Sequence, residues 1–338
     1  VEGFDIYATW VAVGVISSLI ITYVNYIGIK PAAFLKGILT AVIIAIGLVL
    51  IAGSSVSGKL TYTEPLFNDG FGGILSVAVM TPFMFVGFDV IPQAAEEIAI
   101  PFKDIGKLII LSIGSAVVWY AVIILSVSVM MTAPEIDSSV LVTADAIKKA
   151  YGGSELMAKL LIIGGMAGIV SSWNSFFMGG SRAIYALAKA RCLPEFLSVL
   201  HPRYKTPTNA IILIGAISCI APFFGRAMMV WLTNAGGTGA VTAYLMVSIS
   251  FLVLRRKEPE LRRPYFVKNH RFVGGMAVIL SSIMLLLYMP GMPSGLMIPE
   301  WTIIGIWSLL GVIFYVYAKR KFPDFGRIID IDLSEFED

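Results

Sequence analysis

Thr81-Pro82-Phe83-Met84-Phe85-Val86-Gly87-Phe88-Asp89-Val90-Ile91-Pro92 sets two prolines around a glycine and a carboxylate inside an otherwise apolar run. A proline removes a helix hydrogen bond and crowds the preceding turn. Glycine supplies backbone freedom at a cost in helix stability. A carboxylate at membrane depth is expensive unless it is held. The stretch therefore predicts a bilayer-spanning helix that is interrupted near Gly87-Phe88-Asp89. Broken backbone in lipid persists only where neighbouring protein or water satisfies its polar groups. Such discontinuous helices build the substrate and ion sites of secondary transporters. Asp89 has two readings. It is a proton carrier whose protonation is favoured by desolvation, or a structural acceptor that caps the broken backbone.

The rest of the chain supplies the membrane context. Of 338 residues, 57% are hydrophobic and only 14% charged, and the mean hydropathy is +0.85. Soluble domains carry about 25% charged residues. Hydrocarbon about 30 Å thick is crossed by roughly 20 apolar helical residues, and nine segments approach that length. They lie near Tyr7–Gly28, Phe34–Gly53, Ile74–Ile91, Leu108–Met131, Leu156–Leu187, Ala210–Phe224, Met228–Leu254, Phe272–Met289 and Trp301–Ala318. No alternating pattern favours a closed barrel, so helices are expected throughout. With an outward N-terminus, alternation places twenty of the 25 basic residues on one side. By the positive-inside rule that side, with the C-terminus, is cytoplasmic.

Secondary features are weaker. Asn234-Ala235-Gly236-Gly237-Thr238-Gly239 in the seventh helix predicts a second interruption, with helix packing as the competing reading. Ser171-Ser172-Trp173-Asn174-Ser175 in the fifth offers hydroxyls that ligate Na⁺ or bond back to carbonyls one turn earlier. The segment Arg255–Arg271 is densely basic and reads as a topology determinant in contact with lipid headgroups. A short surface helix is expected at Ala144–Ala150, and the acidic end Asp324–Asp338 reads as a loose tail. Cys192 and Cys219 have neither disulfide nor metal-ligand spacing and read as packing residues.

Phe85-Val86-Gly87-Phe88-Asp89, Ala95-Glu96-Glu97 and Pro101-Phe102-Lys103-Asp104-Ile105 follow one another in an order that resembles the amino acid–polyamine–organocation (APC) superfamily of permeases. Gly179-Gly180-Ser181-Arg182, Tyr185-Ala186-Leu187-Ala188-Lys189, Leu193-Pro194, Pro207-Thr208-Asn209-Ala210 and Asn25-x-x-Gly28-x-Lys30 extend the resemblance over nearly the whole chain. The resemblance implies an all-α polytopic membrane protein with a LeuT-like inverted-repeat transporter fold. The nine helices would correspond to family helices four to twelve, with the first three not represented in this sequence. It implies residues 1–53 as the last two helices of the first repeat and 54–255 as the second five-helix repeat. Two C-terminal helices follow over 256–321, then a cytoplasmic tail over 322–338.

Function follows as expectation. The resemblance implies secondary active transport of an amino acid or related amine across the cell membrane, by alternating access around Gly87-Phe88-Asp89. Phe83, Phe85, Val86, Gly87 and Phe88 would contact substrate, and Asp89, Ser171 or Ser172 would couple H⁺ or Na⁺. No other cofactor and no nucleic-acid partner is expected; the partners are the small substrate and the bilayer. Some proton-linked relatives carry a lysine in the fifth family helix where Ile43 stands here, which weakens a lysine-based mechanism. Gly106, where proline is frequent, looks like a minor departure. The alternative is a non-transporting amino-acid sensor, an assembly subunit or an inactive truncated permease. An enzyme is disfavoured, because two histidines, His201 and His270, cannot supply a metal set and no phosphate-binding loop is present.

Overall fold

A computed structural model describes residues 7–64, 70–93, 100–261, 263, 265–292 and 295–322. The Ala95-Glu96-Glu97 motif and the Asp324–Asp338 tail lie outside them. Twelve α-helices appear among the described residues: α1 (Ala8–Tyr26), α2 (Ile29–Ser57), α3 (Gly70–Phe85), α4 (Val90–Gln93), α5 (Phe102–Ser128), α6 (Ala133–Ser138), α7 (Val142–Ala150), α8 (Glu155–Lys189), α9 (Thr208–Ile220), α10 (Gly225–Lys257), α11 (His270–Leu287) and α12 (Ile298–Lys321). The described residues contain no strand, only an isolated bridge between Leu200 and Pro207. The protein is thus an all-α, multi-pass membrane protein.

Seven of the nine expected segments are long and apolar enough to cross a bilayer: α1, α2, α5, α8, α10, α11 and α12. The other two are shorter for local reasons. α3 stops at Phe85, where the chain turns over 86–89 before α4. α9 tightens into a 3₁₀ segment, Ala221–Phe224, at Pro222, a residue that cannot donate the next helix bond. Large apolar side chains such as Trp10, Phe34, Leu111 and Trp307 are exposed along the spans. Water would penalise that surface, whereas hydrocarbon does not.

The helices meet where side chains are small. α2 runs along α8, where a Cβ on Gly164 would sit 2.8 Å from Ile46 Cδ1. α1 lies against α9, where a Cβ on Gly215 would sit 2.6 Å from Thr22 Oγ1. Ile21, Phe177 and Ile211 form the buried centre of α1, α8 and α9. A polar bond crosses the same region: Asn25 Nδ2 donates to Asn174 Oδ1 at 2.8 Å and to the Ile21 carbonyl at 2.9 Å. The Asn25-x-x-Gly28 pattern thereby acquires a physical reason. Asn25 ties α1 to α8, and Gly28, at φ +132°, turns the chain into α2.

Two expectations change. The helix over 142–150 is a packed cap rather than a mere surface element. Ile147 and Ala146 are fully buried against Leu50, Val127, Met130 and Met131. Ahead of it, Glu135 accepts Lys149 Nζ at 2.8 and 2.9 Å and the Thr132 N–H at 2.7 Å. Lys149, then these Thr132 donors, push the Glu135 carboxyl down to about 2. The second correction concerns Asn234–Gly239, which does not interrupt its helix; α10 is continuous from Gly225 to Lys257. Of its glycines, Gly237 serves packing. Tyr288 Oη lies 3.2 Å from where a Gly237 Cβ would stand, and Asn234 Nδ2 donates to the buried Glu300 of α12 at 2.5 Å.

Candidate functional site

The break forms as the sequence dictates, between α3 and α4. Gly87 adopts φ +128°, a conformation strained for any residue with a Cβ. Asp89 holds the turn: its Oδ1 accepts the Gly87 N–H at 2.8 Å, and its Oδ2 accepts Gln93 Nε2 at 3.3 Å. The chain re-enters a helix through Val90 N–H to the Gly87 carbonyl at 3.2 Å and Ile91 N–H to the Phe88 carbonyl at 3.2 Å. The last turn of α3 is satisfied from outside, where Tyr120 of α5 donates its hydroxyl to the Met84 carbonyl at 3.0 Å. This is the compensation that broken backbone in lipid requires.

Aromatic rings flank the turn on both sides. Phe85 meets Tyr120 edge-on, with centroids 5.6 Å apart. Phe88 meets Tyr244 of α10 with centroids 5.5 Å apart. The Tyr244 hydroxyl is buried, has no hydrogen-bond partner among the described residues and lies within electrostatic reach of Asp89. On a further side, α4 rests on α8 at Gly179, where a Cβ would come within 3.0 Å of Val90 Cγ2 and would also meet Gln93. Glycine in the Gly179-Gly180-Ser181-Arg182 signature is therefore a seat for α4. Arg182 beside it is buried and donates to Ser181 Oγ at 2.9 Å.

The expected site residues separate into two groups. Phe85, Val86, Gly87, Phe88 and Asp89 lie together at the turn, half-buried. The Phe83 side chain lies outside the described residues. Ser171 and Ser172 belong to α8, two helical turns before Gly179, about 12 Å along the axis. Ser171 is buried and its carbonyl accepts Ser175 Oγ at 3.0 Å, whereas Ser172 is exposed. Ile43 packs on α8 at Gly168, 3.6 Å from where a Cβ would stand. Among the described residues no group of three or more His, Cys, Asp or Glu is placed to hold a metal.

Tyr120, Tyr244 and Gln93 escaped the sequence reading. Each stands alone in an apolar helix or beyond the motif, and no spacing pairs it with the turn. A tyrosine in a membrane helix is a usable signal, because its hydroxyl needs a partner when buried. Gly106 also gains a role: the Tyr265 ring, from the segment after α10, lies 2.8 Å from where its Cβ would stand.

The family model described as "Amino acid permease" matches residues 4–317. The chain is 29% identical to the branched-chain amino acid permease BcaP of Bacillus subtilis, over 89% of this chain and 62% of that protein. It is 26% identical to the methylthioribose transporter of Bacillus subtilis, over 90% of this chain and 63% of that protein. It is 24% identical to the chloroplastic cationic amino acid transporter 7 of Arabidopsis thaliana, over 94% of this chain and 55% of that protein. The chain thus spans about three-fifths of the length of these relatives.

Proposed function

The chain belongs to the amino acid permease family, and from that premise we propose that it takes part in secondary transport of an amino acid or related amine, with the α3–α4 break as its moving and binding element. The observation that carries the reading is the turn at 86–89, capped by Asp89 and flanked by Phe85 and Phe88. A zwitterion requires backbone polar groups for its charged end and apolar walls for its side chain. Within four residues the turn offers carbonyl oxygens, each with a lone pair beyond its bond to Val90 or Ile91, to the ammonium, and aromatic walls beside them. The relatives named are transporters of amino acids or of methylthioribose; an amino acid suits the aromatic wall and the polar turn together. Substrate is moved without chemical change, so no enzymatic step is invoked.

In this reading Gly87 admits substrate to the backbone and Phe83, Phe85, Val86 and Phe88 line its apolar part. H⁺ at Asp89, or Na⁺ near Ser171 and Ser172, supplies the coupling. Of the two serines, the buried Ser171 is the better placed. The inverted-repeat arrangement, a cell-membrane location and a cytoplasmic C-terminus belong to the same proposal, the last supported by the distribution of basic residues. Radiolabelled amino acid uptake into proteoliposomes holding the protein tests it. Saturable uptake that collapses with the ion gradient supports transport; saturable binding without flux under every gradient overturns it.

A further inference from the structure

We infer that the cleft between the end of α10 and the start of α11 is a binding site for a phosphate-bearing anion. The cleft has a volume of about 440 Å³ and is lined by Leu252, Arg255, Arg256, His270 and Arg271. It opens at the ends of two membrane spans, Met228–Lys257 and His270–Leu287, so it lies at the level of the bilayer surface.

Its construction begins one turn deeper. Gly274 of α11 is buried against α10, and a Cβ there would sit 2.8 Å from Leu252 Cγ and 3.0 Å from Phe251 Cδ1. That close approach brings the next turn of each helix together, Arg255 and Arg256 on one side and His270 and Arg271 on the other. The Arg255 guanidinium is held over two rings, 5.4 Å from the centroid of Phe251 and 4.5 Å from that of Phe266. Stacking of this kind orients the planar fork and leaves its edge N–H groups to bind an oxyanion.

Electrostatics then asks for an anion. Arginines at the C-terminal end of α10 complement that helix's dipole, and topology alone accounts for them. Topology accounts for Arg271 too, but the dipole does not account for the place of His270 and Arg271 on their helix. They occupy the first turn of α11, the positive end of its dipole, which has no acidic residue and no side-chain cap. The Arg271 cation is disfavoured there, while an anion is favoured by the dipole and by the first-turn N–H groups. The ion pairs found among the described residues lie elsewhere, at Lys107–Asp104, Lys148–Glu155 and Lys149–Glu135. Among the described residues, Glu258 and Glu260 of the connecting segment form no such pair with Arg255, Arg256 or Arg271. A phosphate group satisfies the arginine forks and the helix end together. An anionic lipid headgroup and a soluble phosphate share that chemistry.

The test uses the whole chain, purified in neutral detergent and followed by thermal unfolding. It is titrated separately with phosphatidylglycerol, phosphatidylcholine and inorganic phosphate. Saturable stabilisation by phosphatidylglycerol but not phosphatidylcholine identifies a lipid headgroup; stabilisation by inorganic phosphate alone identifies a soluble ligand. In either case Arg255→Gln with Arg271→Gln weakens the effective probe by about tenfold or more, as loss of charge-assisted bonds requires. Lys257→Gln, beside the cleft but not lining it, removes only diffuse attraction, about fivefold or less. If the double variant does not purify as a monodisperse species, the exposed Arg271→Gln alone carries the comparison. Equal losses in the cleft and Lys257 variants, or no saturable response to either anion, overturn the assignment.

Discussion

The Asp89 carboxylate accepts the backbone N–H of Gly87 at 2.8 Å, two residues back along the chain. It therefore closes the turn that it also charges. Both earlier readings of Asp89 meet in this bond: the residue is a cap by geometry, and any proton it takes up would be felt by the turn.

Substitutions at Asp89 separate capping from coupling. Asn keeps an oxygen for the Gly87 N–H, so Asp89→Asn should leave stability near that of the parent. Asp89→Ala leaves the Gly87 N–H without this acceptor and should cost about 1–3 kcal/mol. If Asp89 carries the coupled proton, Asp89→Asn also flattens the pH profile of uptake. An unchanged profile with a destabilised Ala variant confines Asp89 to its capping role.

Gly87 is expected to matter through its backbone. A Cβ there meets nothing within 4 Å, so sterics with neighbours do not forbid a side chain. Its φ of +128° does, at about 1–3 kcal/mol. Gly87→Ala should weaken uptake, and Gly87→Leu should abolish substrate binding while the protein still expresses. Normal substrate-induced thermal shifts in the Leu variant would remove this turn from the site.

Tyr120→Phe isolates one bond. The ring contact with Phe85 survives, but the Met84 carbonyl loses its donor. A loss of about 1 kcal/mol in stability is expected, read by denaturant-induced unfolding in detergent. Faster hydrogen exchange should appear at the end of α3 rather than throughout α5.

The Glu135 cap is sensitive to acid. Its carboxyl is held below the ordinary range mainly by Lys149, so the folded cap binds its proton less readily than the unfolded chain does. The stabilisation is complete above about 4.5 and is lost as pH falls toward about 2. Amide protection over residues 132–150, relative to the unstructured rate at each pH, should fall across that window. Lys149→Met should remove most of the dependence; an unchanged dependence would assign the acid response to other carboxylates.

Much of this was legible beforehand because it follows from local rules. Pro82, Gly87, Asp89 and Pro92 each act on their own turn of backbone, so their sequence spacing was enough to locate the break. The glycines of Asn234–Gly239 obey the same propensities yet sit in a continuous helix. A glycine also serves close packing, and the neighbours that decide between the two, Tyr288 and Glu300, are about fifty residues or more away in sequence. The cap over 142–150 was visible as a helix, but its burial depended on Leu50 and Val127 from other helices.

The sequence by itself determined that this is an all-helical membrane protein with one helix broken at Gly87-Phe88-Asp89. Apolar length, proline and glycine act through short-range physics that any bilayer enforces. Only the tertiary structure decided what surrounds the break: Tyr120 on one side, Tyr244 on another, and α8 beneath at Gly179. Those relations arise from packing between helices distant along the chain. A single sequence records each residue's preference for a partner, but not which helix brings that partner near.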